Sequence, residues 1–268
     1  MKDFHIHSGL IEHTNDDIFS IAQKAKELGF TEITILEHIS PFKIKYPANS
    51  DPSNTVFFDK IPKVYPRRTS TVSVLVEQCK KAETEIGIKI NRSLEVDYHK
   101  SFENDIKDYE KYGLDYLTLS GHYIEDMEAN SENRLVDIGF KEKRNYFIEK
   151  YGEEKLLELY FQNLMNGVKS GLFGLVAHLD FFGRYLENYD SKKVMQYVEP
   201  ILKEIIKRKM LMELNISQEK PQPALEIIEK YKELGGNKLV FGSDSHSVND
   251  LVNSIEKRGK FIGLVDVE

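Results

Sequence analysis

The chain predicts an α/β fold built on a parallel sheet covered by helices, either open or closed into a barrel. Strand-like and helix-like segments alternate along all 268 residues. Histidines gather at the ends of the strand segments and none falls in a helix segment. No internal repeat, low-complexity tract or linker breaks the series, so one domain over residues 1–268 is expected.

Residues 2–7 read as a strand with Phe4 and Ile6 on one face and His5 and His7 on the other. Residues 15–29 read as a helix with the apolar stripe Ile18, Ile21, Ala22, Ala25 and Leu28, stopped by Gly29. A second strand covers 32–38. A helix at about 71–87 sets Val72, Leu75, Cys79, Ala82 and Ile86 on one face, which makes Cys79 a core residue rather than a nucleophile. A strand at 90–98, a helix near 102–111 and a strand at 116–123 follow. The helix at 153–170 rests on Leu156, Leu157, Tyr160, Phe161, Leu164 and Val168. Then come a strand at 175–180, a helix at 190–209, a strand at 211–215, a helix at 222–234, a strand at 238–244 and a helix at about 248–258, giving seven strand–helix units.

Two long connections interrupt the rhythm. Residues 39–70 hold five of the 8 prolines, and residues 124–150 are polar and charged. Loops of this length in a compact domain are commonly functional. Both follow strands, which places them as active-site loops on the C-terminal face of a closed sheet.

The net charge of −7 argues against nucleic acid and anionic membrane as partners. The short basic runs Arg67-Arg68 and Lys207-Arg208-Lys209 read as solvated faces. An anionic substrate therefore needs a local cationic device, which bound metals supply. Cys79 is the single cysteine, so an intramolecular disulfide is excluded and a reducing compartment is expected. No apolar leader precedes the first strand and no segment approaches membrane-spanning length, so a cytoplasmic location is expected.

Of the 8 histidines, His7, His38, His122, His178 and His246 lie at or just past a strand's C-terminal end. His5 is two residues back on the first strand, His13 lies in the next loop, and His99 follows the third strand. His5 and His7 point the same way, which suits a shared metal or a pair of satisfied polar residues at a strand end. Asp244 and His246 repeat the device in FGSDSH. On the third strand Ser93, Glu95, Asp97 and His99 share one face. Glu95 suits a bridging ligand better than an ion pair, because so many nitrogen donors converge; Asp97 and His99 stay undecided. Glu37, Asp180, Glu213 and Asn215 read either as groups that orient ligating imidazoles or as structural hydrogen-bonding groups.

The ordered set HIH, His13, EH at 37–38, LEVDY, SGHY, AHLD and GSDSH resembles the polymerase-and-histidinol-phosphatase (PHP) superfamily, and within it the monofunctional histidinol-phosphate phosphatases. HxH alone is weak; seven elements in order, each at a strand end, are specific. The resemblance implies a distorted (β/α)7 TIM-like barrel with about three divalent metal ions, zinc, iron or manganese. It implies one ion on His5, His7, Glu95 and Asp244, a second on Glu95, His122 and His178, and a third on His13, His38 and His246. It also implies the substrate, L-histidinol phosphate, cleaved to L-histidinol and phosphate in histidine biosynthesis by metal-activated hydroxide.

In that chemistry Glu95, Asp244, His246 and Asp180 are the catalytic candidates. Asp180 would protonate the leaving oxygen or hold a substrate amine. Arg184, in HLDFFGRY, is the first candidate phosphate clamp and Arg144 the second, with a surface role as the alternative for each. Covalent phosphatase signatures are missing: Cys79 has no arginine six residues on, and no Asp-x-Asp follows the first strand. Three rivals compete: a phosphoesterase acting on nucleotides, an amidohydrolase, and a non-catalytic metal-binding module. The EH at the second strand and the terminal DSH do not fit an amidohydrolase, and the module reading sits poorly with a complete ligand set.

Overall fold

The computed structural model describes residues 1–10, 16–39, 69–126, 128, 135–186 and 189–264. Its centre is a seven-stranded parallel sheet in the order β1 (Lys2–His7), β2 (Glu32–Ile39), β3 (Lys89–Asp97), β4 (Thr118–Ser120), β7 (Leu175–Val176), β8 (Leu211–Asn215) and β9 (Leu239–Gly242). The amide of Asp244 donates to His5 O at 2.8 Å and that of His7 to Ser245 O at 2.9 Å. These two bonds bring the chain just past β9 against β1, so the sheet curls into a nearly closed TIM-like barrel. A short antiparallel pair, β5 (Tyr123–Glu125) and β6 (Leu135–Asp137), stands apart from it.

The helices form because their apolar residues recur at helical spacing and their ends are capped. In α1 (Ile18–Glu27), Asp17 accepts from Ser20 N at 2.7 Å, and Ile18, Ile21, Ala22 and Ala25 are buried. Helix α2 (Thr69–Ile86) turns Val72, Leu75, Cys79 and Ala82 into the core. The expected helix near 102–111 is only a five-residue α3 (Glu103–Lys107) between 3-10 turns. Helix α5 (Glu153–Ser170) buries Leu156, Leu157, Tyr160, Phe161, Leu164 and Val168. Helix α6 (Ser191–Arg208) is capped by Asp190 and α8 (Val248–Phe261) by Ser247; between them lies α7 (Leu225–Glu233).

Two strands are shorter than the sequence suggests, for one shared reason. The segment expected as a strand over 116–123 pairs in the barrel sheet only through Ser120, because Asp97 Oδ1 accepts from His122 N at 2.9 Å. The segment 175–180 pairs only at Leu175–Val176, because Glu213 Oε2 accepts from His178 N at 2.6 Å. In each case a carboxylate on a neighbouring strand takes the amide that would continue the ladder. The polar stretch 124–150, expected as a loop, carries the end of β5, all of β6 and most of α4 (Lys141–Tyr151). In the other long connection Ile39 ends β2 and Thr69 starts α2; residues 40–68 lie outside the described residues.

Candidate metal centre

The register of the barrel assembles the site. β1 ends with His5 and His7, both buried, their Nε2 atoms 3.1 Å apart. β2 and β3 pair with His38 opposite Glu95, which sets the imidazole and the carboxylate on one face. His122 and His178 sit just beyond the ends of β4 and β7. After β9 the chain turns through Asp244, whose φ of 52° is a left-handed conformation that aspartate tolerates better than most residues. His246 follows, with its Nδ1 2.9 Å from Asp244 O.

Glu95 is the hub and is only 1% exposed. Its Oε2 lies 2.9 Å from His38 Nδ1 and 3.4 Å from the Nε2 atoms of both His5 and His7. Its Oε1 lies 2.9 Å from His178 Nε2 and 3.4 Å from His122 Nε2. Asp244 Oδ1 stands 3.6 Å from His5 Nε2 and 3.5 Å from His7 Nε2. The His7 ring stacks on His38 at 4.3 Å and 16°, and lies 4.3 Å from His246.

Carboxylates behind the imidazoles fix their orientation. Glu213 Oε1 is 2.8 Å from His5 Nδ1, and Asp97 Oδ1 is 3.0 Å from His122 Nδ1. Asp97 and Glu213 thus each end a strand and aim a histidine with the same carboxylate. Gly242 belongs to this arrangement, since a Cβ there would stand 1.8 Å from Glu213 Oε1 and 2.8 Å from His5 Cβ.

The electrostatics follow from burial and crowding. Burial opposes ionisation of Glu95, but His38, His5 and His122 outweigh it and hold the carboxyl well below its ordinary range. Burial also opposes charge on Asp244, and His5, His7 and His246 bring it well down. Burial would depress His122, yet Asp97 and Glu95 push it up to about 9. His7 goes the other way: burial, His246 and His38 lower it well below the usual imidazole value.

This donor set fits divalent metal ions. Glu95 Oε2 and His178 Nδ1 are buried without a hydrogen bond of normal geometry. Donor atoms of three residues at a time lie within 4.8 Å of one another in four groupings: His5, His7 and Asp244; His38, Glu95 and His122; His7, His38 and His246; His5, His178 and Glu213. Lone pairs facing lone pairs at this density suit a shared cation of intermediate hardness.

Of the residues singled out in the sequence, His5, His7, His38, Glu95, His122, His178, Asp244 and His246 converge here. His13 lies outside the described residues. His99 is elsewhere: its Nε2 pairs with Glu125 at 3.0 Å and its Nδ1 accepts from Ser101 N at 3.2 Å, capping the turn before α3. Arg184 reaches the rim. Its Nε donates to Gln222, one terminal nitrogen lies 3.5 Å from Asp244 Oδ2, and its guanidinium covers the Phe181 ring at 4.8 Å.

Asp180 and Arg144 are placed differently from the sequence expectation. Asp180 Oδ2 accepts from Tyr189 OH at 2.7 Å and Ala224 N at 3.0 Å, and the residue lines a neighbouring cleft beyond Arg184. Burial lifts its carboxyl to about 6. Arg144 stands behind the wall, where it donates to Ile138 O at 2.6 Å and stacks over Tyr185 at 4.9 Å.

Above the cluster opens a cavity of about 340 Å³, lined by His38, Glu95, His122, His178, Asp244, His246 and Arg184 together with Tyr123, Asp137, Gly139, Phe140, Phe181 and Tyr185. Sequence reading missed Asp137 and the aromatic wall. The only signal for Asp137 was its place among the charges of the 124–150 connection.

Comparison with known proteins agrees with this geometry. The family model for the PHP domain matches residues 3–217. A "probable histidinol-phosphatase" of Clostridium acetobutylicum is 26% identical over 235 residues, 84% of this chain and 77% of that protein. The crystal structure of a candidate histidinol phosphatase from Listeria monocytogenes superposes with a TM-score of 0.74 at 23% identity, covering 96% of this chain and 99% of that one. Histidinol phosphate phosphatase from Lactococcus lactis, solved with zinc, L-histidinol and phosphate, gives a TM-score of 0.72 at 16% identity, covering 100% and 94%.

Proposed function

The chain belongs to the PHP family, and from that premise we propose that it is a metal-dependent phosphomonoesterase that hydrolyses L-histidinol phosphate to L-histidinol and phosphate. The observation that carries this reading is the buried Glu95 carboxylate ringed by His5, His7, His38, His122 and His178, with Asp244 beside it and Arg184 over the same cavity.

About three divalent ions, drawn from zinc, iron and manganese, are proposed, held by His5, His7, His13, His38, Glu95, His122, His178, Asp244 and His246. When bound, such ions polarise phosphoryl oxygens and lower the pKa of water. The protein supplies the rest. Glu95 and Asp244 hold negative charge where the imidazoles alone would repel a cation array. Glu213 and Asp97 fix the rings of His5 and His122, so the donors need no reorganisation. Arg184 presents guanidinium N–H groups to the cavity, the side chain best matched to phosphate oxygens. Asp180 is held by Tyr189 and Ala224 outside this cavity, and we assign it to positioning the 180–184 turn rather than to proton transfer. Arg144 buttresses Tyr185 in the same way.

None of the described helices is long and apolar enough to cross a membrane. With a lone buried cysteine and a net charge of −7, a cytoplasmic enzyme without nucleic-acid partners is the proposed setting. The test is elemental analysis of the purified protein beside phosphate release from L-histidinol phosphate and from nucleoside monophosphates. Bound metal and preferential release from histidinol phosphate are expected. A metal-free active enzyme, or preference for the nucleotides, overturns the assignment.

A further inference from the structure

Arg184 comes from the 3-10 turn Phe181–Arg184 that follows β7, and a long flexible side chain on a turn does not aim itself. Two amide side chains hold it. Gln222 and Asn215 are 6% and 1% exposed, and their backbones are tied together: Asn215 N donates to Gln222 O at 2.7 Å and Gln222 N to Asn215 O at 2.9 Å.

Each amide can face only one way. Gln222 Nε2 donates to Asp180 O at 3.2 Å and to Phe181 O at 3.3 Å, which turns its Oε1 toward Nε of Arg184. Asn215 Nδ2 donates to Glu213 Oε1 at 3.2 Å and to Asp244 Oδ2 at 3.4 Å, while its Oδ1 accepts from Ser217 N at 3.0 Å. The same Oδ1 lies 3.5 Å from Nη2 of Arg184. Flipping either amide would set donor against donor. Phe181 covers the guanidinium face at 4.8 Å. Among the described residues no protein acceptor takes Nη1, and Arg184 lines the cavity over the donor cluster. Its one carboxylate contact among them is with Asp244 at 3.5 Å. Amides are neutral, so they fix the guanidinium without cancelling the charge that meets an incoming phosphate; a glutamate at position 222 would hold it and neutralise it together.

We infer that Gln222, braced by Asn215, is the positioning residue for the phosphate clamp: it sets the direction of Arg184 and so the affinity of the cavity for a phosphoryl group. The inference rests on the phosphatase reading above. Because Asn215 also touches Glu213 and Asp244, clamp and donor cluster are built on one hydrogen-bonded frame.

Gln222→Met keeps the length of the side chain and removes its amide. Inorganic phosphate is the probe, its Kd measured by calorimetry on metal-loaded protein. Gln222→Met weakens phosphate binding about tenfold and raises KM for L-histidinol phosphate alongside, with kcat within about threefold of wild type. In an Arg184→Ala background the same substitution changes phosphate affinity by less than about twofold, because its effect runs through the arginine. A loss of about tenfold that persists without Arg184 reveals a merely structural role and overturns the inference, as does unchanged affinity in the single variant. Gln222→Ala, which leaves the backbone bridge to Asn215 intact, decides on the same terms if Gln222→Met does not fold. A wild type that binds phosphate no more tightly than Arg184→Ala overturns the clamp and the inference with it. A wild type that binds phosphate through Arg184 but releases none from L-histidinol phosphate overturns the phosphatase assignment, and the affinity comparison then judges Gln222 separately.

Discussion

Strand β1 carries two kinds of buried polar group within five residues, and they behave differently. Asp3 is 0% exposed, and its carboxylate is matched on every side: Oδ1 accepts from His5 N and Ser243 N, both at 3.1 Å, and Oδ2 from Arg258 at 3.2 Å. The Arg258 guanidinium is in turn covered by Phe241 at 4.3 Å and Phe30 at 5.2 Å. His5 and His7 are equally buried, yet their Nε2 atoms face each other at 3.1 Å and face carboxylate oxygens at 3.4 to 3.6 Å. A donor matched to an acceptor marks a structural pair. Lone pairs crowded against lone pairs mark a place where cations belong. The same strand thus holds the barrel together at one end and gathers the donors proposed for metal at the other.

Substitutions at the two ends sharpen this contrast. Glu95→Gln removes the hub charge and is expected to cut phosphate release on the order of 10⁴-fold, with loss of bound metal measured by elemental analysis and little change in far-UV circular dichroism. Asp3→Asn should do the reverse. It strips a buried arginine of its partner and costs about 3–5 kcal/mol in denaturant unfolding, while the folded fraction keeps its metal stoichiometry. If Asp3→Asn loses metal without losing stability, the contrast fails.

Glu213→Gln tests the group behind His5. A weakened orienting contact lowers metal affinity about 10–100-fold in chelator competition, with turnover recovered at high metal concentration. The smallest effect is expected at Glu37, which is buried beneath Ser8 and lifted by desolvation to about 8 from 4.5. Its folded-state value lies above the unfolded one, so the folded protein holds the proton between those values and loses stability as pH rises through that window. Glu37→Gln cannot titrate and keeps the acceptor for Ser8. Its melting temperature should therefore exceed wild type by an amount that grows from pH 5 to pH 9, to on the order of 5 °C. A constant difference across that range would show that Glu37 does not titrate as described.

Much of this was readable from the residues, and the exceptions have physical causes. The strand-end histidines declare themselves because strand periodicity is short and imidazole is rare in helices here. His38 and Glu95 were found separately, but only the β2–β3 register makes them neighbours. Strand lengths at 116–123 and 175–180 were overread because Asp97 and Glu213 intercept backbone amides from another strand, a long-range event that local alternation cannot reveal. Arg144 looked available for phosphate because its stretch is polar; its role in supporting Tyr185 depends on a helix whose weak apolar pattern hid it. Asp137 escaped because it ends a strand of only three residues, too short to show alternation.

The seam where Asp244 N meets His5 O joins residues about 240 positions apart, and both belong to the donor cluster. The groupings that include Asp244 and His246 exist only once the segment after β9 has docked on β1, whereas His38, Glu95 and His122 converge without it. An ion held by the first set, as proposed, would clasp the two edges of the barrel, so its affinity and the closure of the barrel would strengthen each other.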